Sequence, residues 1–201
     1  MIMPLVQDDV IAAEDLRAIV LTHDMALLGI DTKFQESEGS NDNRKSELLN
    51  VVFRSSFLLS HSVLEFTVKQ IVDCLVWSFL EPDNIYRQIG GSILHGSRKI
   101  LEGKHVSEAF KHQNWLDALL LARVRNQFAH SGGWQDRPFN EQEIERLSFA
   151  FGLNQAIGFG ASNVVRTFAF SRTTIERIVA TYIDLTQMMF EELRSKYSAH
   201  A

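Results

Sequence analysis

The chain has 201 residues, 45% of them hydrophobic, with three prolines, a single cysteine and a formal net charge of −5. That length and apolar content suit one compact domain, and a lone Cys74 excludes an internal disulfide or a cysteine-built zinc cage. The negative balance is not that of a general nucleic-acid binder, although a local cationic cluster can act inside an acidic chain. Few prolines and long apolar stretches of helical period predict a mainly α protein.

Residues 5–29 read as an amphipathic helix, with Val10, Ile11, Leu16, Ile19, Val20, Leu27 and Leu28 near one face. Residues 35–46 are polar throughout and read as an exposed loop. A long helix over about 46–80 follows and stops near Glu81-Pro82-Asp83-Asn84, where the proline prevents continuation. Cys74 sits in its apolar run Ile71–Val76 and reads as a buried thiol. Residues 84–112 are ambiguous: Gly90-Gly91 interrupts them, yet Ile93, Leu94, Ile100 and Leu101 fit a short helix. Asn114 is placed to cap the next helix, which carries Trp115, Leu116, Leu119, Leu120 and Val124 and breaks on Gly132-Gly133. Asn140 and Glu143 have capping-box spacing. Leu147–Phe151 and Val164–Phe170 alternate as short strands do, and the glycine-rich span between them would join a small β-hairpin before the last helix. Thr173 with Glu176 predicts a second capping box, opening a helix to about Tyr197 with Ile175, Ile178, Val179, Tyr182, Leu185, Met188, Met189 and Leu193 toward the core.

Residues Met1–Asp9 lack the basic flank and apolar core of a secretory signal, and no window approaches the ~18 uninterrupted apolar residues of a membrane span. The expectation is a soluble, cytoplasmic protein without a membrane partner. Phosphate-loop and dinucleotide fingerprints are absent, so no cofactor is expected. His95, His105 and His112 are scattered without the i,i+4 spacing of a helical zinc site, and no metal site is expected. Trp77 and Trp115 read as core, whereas Trp134, just past the glycines, is a candidate for base stacking. Phe149, Phe151, Phe168 and Phe170 read as packing the hairpin against the bundle.

The chemistry concentrates in Arg125-Asn126-Gln127-Phe128-Ala129-His130. A structural helix has little use for a cation, an amide and an imidazole within a turn and a half. The hexapeptide resembles the Arg-Asn-x-x-x-His signature of the HEPN superfamily, helical-bundle proteins many of which are metal-independent RNases acting as toxins or antiphage effectors. Upstream, Arg54–Lys69 is similar to the first core helix of these domains, with Glu65 and Lys69 matching an acidic residue four positions before a basic one. The likeness covers roughly residues 46–135 plus a final helix. It implies an HEPN-like up-and-down bundle and says little of residues 1–40 or 140–170; with the elements read above, the chain is expected to be a single HEPN-like domain over residues 1–201, with an N-terminal helix at 5–29, a motif-bearing core at 46–135, an insertion at 140–170 and a C-terminal helix at 172–197. It also implies a homodimer whose two motif helices form a composite cleft, and restraint by an antitoxin or a sensor protein.

Under that resemblance Arg125, Asn126 and His130 are the catalytic residues, with Arg123, Glu65 and Lys69 in support. Cleaving an RNA phosphodiester needs the 2′-hydroxyl activated, phosphoryl charge stabilised and the 5′ oxygen protonated. The arginine fork suits the second task, and histidine suits proton transfer. A helix C-terminus favours imidazolium, so His130 fits an acid or electrostatic role better than a base role. Asn126, four positions before His130, could orient it or bind a phosphate oxygen. Arg125 and His130 lie about 140° apart around an ideal helix, whereas Arg123, Asn126 and His130 share a face. The family spacing admits either arginine, and Arg125 is preferred by the Arg-Asn form. Glu65 and Lys69 read equally well as a surface i,i+4 pair, and His61 as a helix-face histidine. The alternative to a nuclease is a non-catalytic helical module that binds a protein or a nucleotide-containing ligand in a regulatory role.

Overall fold

The structure is a computed structural model describing residues 5–35, 42–79, 93–103, 105–130, 139–159 and 164–197. Within them seven helices and a two-stranded antiparallel sheet make a mainly α helical bundle. The helices are α1 (Leu5–Gln35), α2 (Asp42–Phe79), α3 (Ile93–Leu101), α4 (Glu108–Lys111), α5 (Gln113–His130), α6 (Glu141–Phe151) and α7 (Arg172–Tyr197), and the strands are β1 (Asn154–Phe159) and β2 (Val164–Ala169). Among the described residues no helix is long and apolar enough to cross a membrane. Gly90-Gly91, Gly132-Gly133, Trp134, and the side chains of Val10, Cys74 and Trp77 lie outside the described residues.

The chain divides into two compact units. One comprises Met1–Leu16, Ser62–Leu119 and Thr181–Ala201; the other comprises Arg17–His61 and Leu120–Ala180. In the first unit the second half of α2 buries Leu64, Val68, Ile71, Val72 and Leu75, and α7 buries Tyr182, Leu185, Met189, Phe190 and Leu193, each set at helical spacing. Trp115 is fully buried with its ring edge-on to Phe110, centroids 4.6 Å apart. The short α4 is capped from α7: Glu192 accepts the backbone N–H groups of Ser107 (2.7 Å), Glu108 (3.0 Å) and Ala109. A carboxylate there satisfies donors that a helix N-terminus leaves open and complements its dipole.

The second unit holds α6, the hairpin and the end of α5. Asn140 and Glu143 form the expected capping box, each backbone N–H donating to the other's side chain at 2.9 Å. The hairpin before the last helix is present, but its first strand is not Leu147–Phe151. Those residues are the end of α6, and β1 begins at Asn154 inside the stretch read as a connecting loop. Helical period explains the difference, because Leu147 and Phe151 are buried at i,i+4 while Phe149 between them is 80% exposed. Gly152, at φ 67°, ends α6 in the left-handed conformation that favours glycine, and β1 can start two residues later. In the sheet Asn154 pairs with Ala169 and Phe159 with Val164, and Phe168 turns inward against the edge of Phe139 at 5.2 Å.

Other boundaries shift for local reasons. The helix read as 46–80 starts at Asp42, so part of the 35–46 loop is helical. Asn114 is not a cap: α5 starts at Gln113, and the exposed His112 ring accepts the Asn114 N–H at 3.3 Å in the capping role. On α1 the inward stripe is Ala12, Leu16, Ile19 and His23, leaving Ile11 (53%) and Leu28 (69%) exposed. Apolar residues occur all around α1, so periodicity alone did not select the buried stripe. Met188 is half-buried, and Phe190 takes a core position instead. The α7 cap is Ser171, whose hydroxyl accepts the Thr174 N–H at 3.2 Å while Thr174 Oγ1 accepts the Ser171 N–H at 3.3 Å. Glu176 pairs with Arg172 at 3.1 Å rather than closing a box with Thr173. Ser171→Ala is therefore expected to cost about 1 kcal/mol in urea unfolding, and Thr173→Ala to stay within about 0.5 kcal/mol. Equal losses for the two variants would contradict the assignment of the cap.

Candidate functional site

The Arg125–His130 motif occupies the C-terminal turns of α5 in the second unit. Three rings hold this end of the helix. Phe57 of α2 is fully buried, and its centroid lies 5.0 Å from Phe170 and 6.5 Å from Phe128 of the motif, while Phe128 lies 5.2 Å from Phe170. The Phe57–Phe128 and Phe128–Phe170 contacts are edge-on, the geometry favoured by the ring quadrupole. Arg54, one turn before Phe57 on α2, places its guanidinium over Phe128 at 5.0 Å from the ring centroid.

Around this anchor the polar residues part company. Arg125 is half-buried and donates to Asn126 Oδ1 at 2.9 Å; Asn126 itself is exposed. His61 of α2 is fully buried, and burial first, then the Arg125 charge, push its imidazole down to about 3. His61 is thus a neutral ring on the buried face of α2. Arg123 is bound to Glu143 and stacked over Phe139 at 4.4 Å. Because Glu143 also closes the α6 capping box, Arg123 ties α5 to the start of α6. His130 is the last residue of α5, and its side chain lies outside the described residues.

The other expected site residues fall in the first unit. Glu65 is half-buried, and its charge adds to burial in raising the Tyr182 hydroxyl well above its ordinary range. Lys69 donates to Asp73 at 2.7 Å, one turn onward along α2. Sequence reasoning missed Arg54 and gave His61 no partner. The available signal was the stripe Arg54, Phe57, His61 at i, i+3 and i+7, which marks one face of α2 but not which helix meets it. Of the phenylalanines assigned to the hairpin, Phe151, Phe168 and Phe170 are buried, and Phe149 is on the exposed face of α6. His105 is bonded to Tyr197, and His95 is exposed on α3. Among the described residues no three His, Cys, Asp or Glu side chains converge as metal ligands do.

No protein-family model matches the chain, nor does any curated protein or solved structure. The physical content of the site therefore rests on its own geometry.

The burial of His61 has a pH consequence. Its folded value of about 3 lies below the ordinary 6.5, so between these values the unfolded chain binds a proton that the folded chain does not. Stability is fully present above 6.5 and is lost as pH falls through that window. His23, lowered chiefly by burial, acts with the same sign. His61 is expected to make urea unfolding easier by about 2 kcal/mol at pH 5 than at pH 7. His61→Leu should flatten that slope to the part contributed by His23 and the acidic groups, and an unchanged slope would refute the assignment.

Proposed function

We propose that this chain is a HEPN-type, metal-independent endoribonuclease, acting as a toxin or phage-defence effector. The observation that carries the reading is the pairing of Arg125 with Asn126 at the end of α5, where an exposed amide fixes one edge of a guanidinium. A guanidinium steadied in this way has lost part of its side-chain freedom before a phosphate arrives, so less ordering accompanies binding. The planar fork of an arginine matches the non-bridging oxygens of a phosphodiester.

In this mechanism the ribose 2′-oxygen attacks phosphorus and loses its proton to solvent or a base. The P–O5′ bond breaks, leaving a 2′,3′-cyclic phosphate and a 5′-hydroxyl. Arg125 stabilises charge gathering on the phosphoryl oxygens, Asn126 holds Arg125 or the phosphate, and His130 at the helix end supplies the leaving oxygen's proton. Arg123 contributes through α6, by keeping α5 and the capped start of α6 together. By the same family resemblance the working form is a homodimer with a composite cleft, partnered by an antitoxin or sensor protein.

The regulatory-module alternative makes the opposite prediction for catalysis. Labelled tRNA and mRNA incubated in EDTA are expected to be cut by the wild type to cyclic-phosphate ends. Arg125→Ala and His130→Ala should each reduce the rate about 10²–10⁴-fold. Intact RNA after incubation with the folded wild type, across several substrates, would overturn the nuclease reading in favour of the binding module.

A further inference from the structure

The chemistry above uses one guanidinium, but α2 brings a second to the same end of α5. Arg54 meets Phe128, whereas His61, seven residues further along α2, lies within the electrostatic reach of Arg125. Phe128 belongs to the last turn of α5, so its contact brings the Arg54 guanidinium to that end of the helix.

We infer that Arg54 is a second phosphate-binding residue of this site, gripping the backbone of a single RNA strand at the phosphate neighbouring the one held by Arg125. The inference rests on the ribonuclease reading for its ligand class, and its physical argument comes from how Arg54 is held. The contact with Phe128 is a cation–π contact, which requires none of the five N–H donors to be spent on a hydrogen bond. The ring therefore orients the cation without consuming its hydrogen-bonding capacity. Among the described residues Arg54 has no carboxylate partner, in contrast to Arg98, Arg123 and Arg172, which meet Glu102, Glu143 and Asp24. Arg54 is half-buried, so part of its surface meets solvent. A cation at the end of α5 without a carboxylate partner gives a local positive field that, in a chain of net charge −5, directs a polyanion to that place.

Complementing the negative end of the α5 dipole is the structural role Arg54 would otherwise have. The two roles separate in a binding experiment that does not depend on cleavage. A fluorescent single-stranded RNA bearing 2′-O-methyl groups cannot be cut, and its affinity for the full chain is read by anisotropy over a range of salt concentrations. Arg54→Gln is expected to weaken binding about tenfold and to reduce the steepness of log Kd against log salt by about one. Arg54→Lys keeps the charge but loses the planar fork, so it should keep the slope while losing several-fold in affinity. A folded Arg54→Gln protein with wild-type affinity and slope would overturn the inference. Should that variant fail to fold, unchanged affinity in Arg54→Lys would overturn it instead. Wild type that binds the methylated RNA but leaves natural RNA intact would refute the nuclease reading while still scoring Arg54. Wild type that cuts RNA while Arg54→Gln binds normally would refute Arg54 alone, and a wild type that does not bind refutes both.

Discussion

The second unit depends on the contact among Phe57, Phe128 and Phe170. One ring comes from α2, one from the motif at the end of α5, and one from the segment between β2 and α7. Removing a buried phenylalanine from such a cluster typically costs about 3–5 kcal/mol, a large part of the stability of a small domain. The same contact aims the motif, because Phe128 is flanked by Arg125 and Asn126 on one side and His130 on the other. Packing and site chemistry are therefore coupled through a single side chain, and Arg54 is held over that same ring.

Charge is distributed around α5 according to use. Arg123 is committed to Glu143 and Phe139, so a cation that periodicity groups with Asn126 and His130 serves to fasten α6. Arg125 donates to Asn126, which steadies it, and its charge reaches the buried His61. His61 itself stays neutral, because a second positive charge in a dry environment beside Arg125 is disfavoured twice over.

In the first unit a long-range carboxylate does work that local sequence does not. Helix α4 has four residues, too few to be stable alone, and its first N–H groups are satisfied by Glu192 from α7. His105 is likewise tied to Tyr197 near the end of α7. These links join a segment of weak intrinsic helical preference to a long helix whose apolar face is continuous from Tyr182 to Leu193. Lys69 and Glu65 take part in this unit's own electrostatics, with Asp73 and Tyr182 respectively.

What the sequence determined by itself was whatever depends on neighbours a few residues apart. The helical class, the extent of α7, the Asn140–Glu143 box, a hairpin before the last helix and the placement of the motif on a helix all follow from spacing and capping chemistry. Ambiguity entered where one pattern served two structures. Leu147, Phe149 and Phe151 alternate as a strand would, yet Leu147 and Phe151 also stand at i,i+4, and burial decided for the helix. Ser171 and Thr173 both stand at the start of α7, and only backbone geometry shows which hydroxyl meets a free N–H. Tertiary structure alone decided which arginine would be consumed by a salt bridge, which histidine would lose its proton and which α2 cation would reach the motif. Those outcomes depend on side chains brought together from distant parts of the chain, whose desolvation and pairing energies no local period encodes.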